Sequence, residues 1–144
     1  MARTKRNWFW NILIIITLIA CLLAFVVHYK NWSKIEESQF KITSGIYRQT
    51  IPLSEFDSIS FVQKLPEMER RHGFSWLAKE KGIFNDSLTN TKVYVFVDDL
   101  RQPKIRLVHH DSLKLFLNYS DSLKTQEMHE FLEGIIIAEK ENPN

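Results

Sequence analysis

The sequence predicts a mainly β domain closed by one C-terminal α-helix and preceded by a single N-terminal transmembrane helix. Three observations carry that prediction. Trp8 to Val27 runs for twenty positions without a charge, short runs between Phe40 and Leu117 place apolar residues at every second position, and from Met128 to Ile136 the spacing changes to three and four.

The uncharged run has only Asn11 and Thr17 as clearly polar members. At about 1.5 Å per residue, a helix of this length crosses a hydrocarbon layer of roughly 30 Å. Trp8, Phe9 and Trp10 stand at one end and Tyr29 and Trp32 just past the other, where amphipathic rings favour the headgroup region. Residues 8–28 are therefore expected to form a membrane anchor behind a basic tail, 1–7. Two processing alternatives compete with an intact span. A cleaved secretory signal shares the basic start but calls for a shorter apolar run and a small-residue cleavage site. A lipoprotein signal is suggested by Leu18-Ile19-Ala20-Cys21, in which Cys21, the single cysteine of the chain, would carry the lipid. Against it, the chain stays apolar from Leu22 to Val27.

Arg3, Lys5, Arg6 and the amino terminus precede the span and Lys30, Lys34 and Lys41 follow it, a narrow bias toward an N-terminus inside and a C-terminal domain outside a bacterial cell membrane. Setting aside Arg3, Lys5, Arg6 and Lys30 leaves 15 basic against 17 acidic residues beyond the anchor. The overall charge of +2 thus belongs to the anchor. A near-neutral domain has no basic face on which to neutralise phosphates, so a nucleic-acid partner is not expected.

Residues 29–38 read as a juxtamembrane linker and 39–138 as one domain of ordinary size. Gln39 to Thr43 and Ile46 to Ile51 flank Ser44-Gly45, a hairpin signal ended by Pro52. Leu53 to Asp57 is expected to connect to a strand from Ser58 toward Leu65. Glu67 to Asn85 lacks a clean period and reads as loop and short strands, with Gly73 and Gly82 at bends. Val93-Val95-Val97, Ile105-Leu107 and Leu113-Leu115-Leu117 alternate strongly. Placing Leu107 opposite both Val95 and Leu115 puts every apolar row on one face of a three-stranded antiparallel meander. Met128, Phe131, Leu132, Ile135 and Ile136 then predict an amphipathic helix capped at Asp121 or Ser122, with 139–144 as a frayed tail.

Gly45-Ile46-Tyr47, Pro66, Arg71-His72-Gly73-Phe74, Lys81-Gly82-Ile83-Phe84, Val93-Tyr94-Val95, Pro103-Lys104-Ile105, Asn118 and Thr125 fall in an order that resembles the bacterial pleckstrin-homology-like (PH-like) domains of small membrane proteins. The resemblance spans about Phe40 to Gly134. It implies two packed antiparallel sheets with a C-terminal helix over one open end, and a binding module without a shared catalytic group.

The residues themselves point the same way. His109-His110-Asp111 with Asp98-Asp99 is the best metal-like set by residue type, but strand spacing holds Asp98 about 16 Å from His109, and His109 and His110 are expected on opposite faces unless the strand ends earlier. No nucleophile elbow, glycine-rich phosphate loop or His-Glu-x-x-His pattern accompanies the charged stretch Glu67 to His72. An enzyme, a cofactor and a resident metal are therefore not expected. Arg70, Arg71, His72, Phe74 and Trp76 form the candidate interaction surface, since Arg and Trp are the types favoured at binding hot spots. The expected partners are the membrane and a protein or peptide beside it, with a ligand or lipid-headgroup sensor as the alternative.

Overall fold

The computed structural model describes residues 7–142. The basic tail is outside this range except for Asn7, as are the last two residues of the expected C-terminal tail. Helix α1, Trp8–Tyr29, is 22 residues long, buries none of them and is long and apolar enough to cross a membrane.

The chain turns into β1, Asn31–Glu36, within two residues of the helix end. This corrects the expected linker at 29–38. The segment is a strand because it alternates: Asn31, Ser33 and Ile35 point inward while Trp32, Lys34 and Glu36 stay exposed. It pairs antiparallel with β2, Gln39–Ser44, which pairs with β3, Tyr47–Pro52, in a three-stranded sheet. The hairpin predicted around Ser44-Gly45 is present. Gly45 sits at φ +64°, and a Cβ there would run into the His28 ring. Both facts favour glycine.

A short 3-10 turn, Leu53–Glu55, leads to β4, Phe56–Val62. The strands β5, Met68–Trp76; β6, Lys79–Asp86; β7, Lys92–Val97; β8, Lys104–His109; and β9, Leu113–Asn118 complete a six-stranded sheet in the order β4-β8-β9-β7-β6-β5. Helix α2, Ser122–Glu141, follows. The molecule is thus mostly β with one C-terminal helix, as the sequence predicts; the described residues form nine strands rather than the roughly seven expected, in two sheets of which the larger includes one parallel pair.

Two expectations about connectivity are corrected. The stretch read as irregular, Glu67 to Asn85, is the β5–β6 hairpin, with Gly73 opposite Gly82. Neither strand shows period two, because β5 is exposed on both sides along most of its length and β6 is largely buried on both. The three apolar strands do not form a meander. Leu107 does face Leu115 across an antiparallel β8–β9 pair, but β7 lies on the far side of β9 and runs parallel to it, with Val95 beside Phe116. Val95 and Leu107 therefore occupy opposite faces. The one-face assumption failed because β7 is buried on both faces.

One face of the six-stranded sheet, with Phe96, Ile105, Leu107, Leu115 and Leu117, packs against Phe40, Ile42 and Ile51 of the small sheet and Leu132 and Ile136 of α2. The other face carries Phe84, Val93, Val95, Val97 and Phe116 under Val62, Leu65 and Met68. Only Gln63 to Glu67 join β4 to β5, the two outer strands, at opposite ends of the sheet. In a flat sheet those corners would stand roughly 33 Å apart, whereas the connecting chain reaches at most about 21 Å. The sheet must coil strongly, and this second face is the concave one.

Helix α2 begins with Asp121 accepting from the Leu123 amide and continues to Glu141, beyond the frayed boundary expected at 139. Phe131 faces solvent rather than core, while the Phe61 ring stacks on His129 at 4.1 Å.

Candidate functional site

The five residues singled out from the sequence all lie on β5, at the outer edge of the six-stranded sheet. They do not act as one patch. Arg70 reaches across the hairpin to Glu80 at 2.5 Å, donates to Ser75 and covers the Phe84 ring at 5.6 Å. It braces the sheet. Arg71 sits where the β5–β6 register shifts between Arg70 and His72, and it is exposed, with no ion pair among the described residues. Phe74 packs edge-on against His28 at the end of α1, with ring centres 6.1 Å apart. Trp76 stands exposed at the turn into β6. From His72 to Trp76 the pairing with β6 is regular, so β5 offers a short straight edge beside the end of α1.

The junction between α1 and the domain holds a network the sequence reading missed. Lys81 and Asp98 form a fully buried ion pair at 2.9 Å. Asp98 also accepts the backbone amide of Asn31 at 3.0 Å. The Asn31 side chain donates to the carbonyls of Phe96 and Asn118 and accepts from Ser44. Burial lowers the Lys81 pKa from its usual range, and the Asp98 carboxylate opposes that shift. Beside it, the Lys79 ammonium lies 4.4 Å over the Tyr29 ring. No spacing signal marks Lys81 as buried. Its burial follows from pairing with Phe96, a long-range contact.

A second candidate is a cleft of about 500 Å³ on the concave face, lined by Val62, Lys64, Asp86, Arg106, Lys114 and Phe116 among others. Lys114 meets Asp86 at 2.6 Å. That contact and the Leu88 amide hold Asp86 down to a pKa of about 2. Half-buried Arg106 makes no ion pair among the described residues.

The metal-like set does not assemble. Asp98 is committed to Lys81 at the anchor end, and no group of three metal-ligating side chains converges among the described residues. His109 and His110 do meet, Nδ1 to Nδ1 at 2.8 Å, which corrects the opposite-face expectation. His110 has left the strand, and its φ of +48° folds the ring back. Desolvation lowers His109 to a pKa of about 4, helped by His110. Cys21 is an exposed free thiol on α1. No family model, curated protein or solved structure matches this chain, so its functional reading rests on the geometry above.

Proposed function

We propose that this chain is a single-pass membrane protein whose domain is a non-enzymatic binding module, engaging a protein or peptide along the outer edge of β5 next to the bilayer. The observation that carries this reading is a nine-residue, solvent-exposed edge strand held beside the end of an unburied 22-residue apolar helix. An edge strand presents unsatisfied amides and carbonyls to which an extended segment can add. The bulge at Arg71 interrupts addition further up, so the recognition register is His72 to Trp76, with Arg71 contributing charge at its end. The sequence resemblance to PH-like modules supports the same class. In this reading α1 is retained as the anchor, with the N-terminus in the cytoplasm of a bacterial cell. A reporter active only outside the cytoplasm, fused after Asn144, reads the side, and the mass of the mature chain reads whether Cys21 is lipidated.

In-cell crosslinking from a photoreactive residue at position 72, with and without Ser75→Pro, tests the edge. Proline removes an amide and adds bulk on this strand. Crosslinked partners are expected from the unsubstituted strand and lost with proline. Arg71→Ala is expected to weaken recovery with no loss of stability. Undiminished recovery from both variants would remove the β5 edge from consideration.

The concave cleft favours a second reading, an anionic ligand held by Arg106 over Phe116. Carboxylates and phosphate esters would then raise the unfolding temperature of the full chain in micelles, and Arg106→Gln would abolish the rise.

A further inference from the structure

We infer that the anchor end of the domain is itself a membrane-seating surface, whose β2–β3 and β5–β6 turns enter the headgroup–acyl boundary of the bilayer that α1 crosses. This inference rests on the reading of α1 as a span.

Only the last turn of α1 meets the domain. His28 touches Gly45 and Phe74, and Tyr29 lies under Lys79, while no residue of the helix is buried. The helix therefore projects away from the domain, and the loops around its end lie level with its exit from the hydrocarbon. Those loops carry an unusual set of side chains. Ile46 is 77% exposed at the β2–β3 turn, Leu77 90% and Trp76 55% exposed at the β5–β6 turn, and Trp32 62% exposed at the start of β1. Two are tryptophans, which favour the interfacial region. Leu77 occupies φ +52°, a left-handed conformation that a β-hairpin turn ordinarily fills with Gly or Asn. Water gives no reason to place a leucine there.

Charge is compatible with the same surface. Lys30 and Lys79 flank the helix end, and Arg48 lies just past the β2–β3 turn. Of the nearby carboxylates, Asp98 is buried against Lys81, Asp99 is held by Arg101, Glu80 by Arg70, and exposed Asp121 accepts from the Leu123 amide. Leu88 provides an internal contrast. It is 95% exposed but lies beyond the far end of β6, roughly 23 Å from the Lys79 end of that strand.

The test uses the full chain in phosphatidylcholine discs containing nitroxide lipids, with an environment-sensitive fluorophore on native Cys21 or, in a Cys21→Ala background, on Leu77→Cys or Leu88→Cys. Shallow nitroxides are expected to quench the Leu77→Cys probe at least about twofold more than the Leu88→Cys probe, as seating 5–10 Å into the boundary requires. Deep nitroxides are expected to quench the Cys21 probe. Equal, water-like signals at 77 and 88 with a quenched Cys21 probe would overturn the seat and leave the span standing. An unquenched Cys21 probe would overturn both. An apolar but unquenched environment at 77 would mean that protein, not lipid, covers the turn, and the inference would fall. Both substituted positions are solvent-exposed, so neither label requires the core to rearrange.

Discussion

At the scale of single residues, the side chains with the strongest physical constraints are buried polar ones. His109 illustrates how one of them sets a condition on stability. Its folded-state pKa is pushed down to about 4 from an ordinary 6.5 by burial and by His110. Between those values the unfolded chain holds a proton that the folded chain refuses, so stability falls as pH is lowered from about 6.5 to 4. The full shift corresponds to about 3 kcal/mol. Carboxylates such as Asp86, held down to about 2, favour the folded state and lose that contribution only at lower pH, as the unfolded chain takes up its proton first. Comparing His109→Gln with the native chain isolates the histidine. The native unfolding temperature, followed by circular dichroism of the full chain in micelles, should drop from pH 6.5 to 4.5 more steeply than that of the variant. Parallel pH curves would show that His109 takes up its proton without hindrance. The sequence could place this histidine at a strand end, but its burial depends on β4 packing alongside, where Phe56 faces it.

At the scale of elements, the departure with most consequence is the parallel β7–β9 pair. Strand order was illegible because every apolar row of β7, β8 and β9 fits a one-face sheet equally well until both faces of β7 are known to be buried. Asn118 is the residue that makes the observed order workable. The β7–β8 loop must arch over the end of β9, leaving its backbone groups without ladder partners. The Asn118 carboxamide accepts from the Asp98 and Asp99 amides at 2.8 and 3.1 Å and donates to the carbonyls of Asp99 and Pro103. Asn118→Ala strands one buried and one half-buried amide, the buried one at about 1–3 kcal/mol and the other at less. A loss of about 3 kcal/mol should lower the unfolding midpoint by roughly 10 °C in a domain of this size. A change of only a degree or two would mean that the arch is held by its neighbours alone. By contrast, the β2–β3 hairpin and the helix cap were legible, because a turn glycine and an Asp cap act over a few residues. The candidate site was legible as a set of residues but not as an edge, since which strand lies outermost is a property of the whole sheet.

For the molecule as a whole, the central structural point is that no slack separates α1 from the domain. A linker from 29 to 38 would let the domain tumble on a tether, whereas Asn31 is buried in the network of Asp98, Ser44, Phe96 and Asn118, and Ser33 hydrogen-bonds Tyr119. Ile35 adds its side chain to the main core. Strand β1 is thus an integral part of the small sheet, and the orientation of α1 is passed directly to the domain and to the β5 edge. Truncation separates these two pictures. A soluble fragment beginning at Lys30 keeps β1 and the buried asparagine and should unfold cooperatively. One beginning at Gln39 leaves Asp98 without the Asn31 amide, exposes the β2 edge and opens the core beside Phe40, which Ile35 faces across the β1–β2 pair. Each buried hydrogen bond lost costs about 1 kcal/mol and the vacated Ile35 site a further 2–5, which approaches the whole stability of a small domain. The shorter fragment should therefore give no cooperative transition in thermal or urea unfolding. Equal midpoints for the two fragments would mean that β1 is dispensable, and with it the rigid coupling between α1 and the domain.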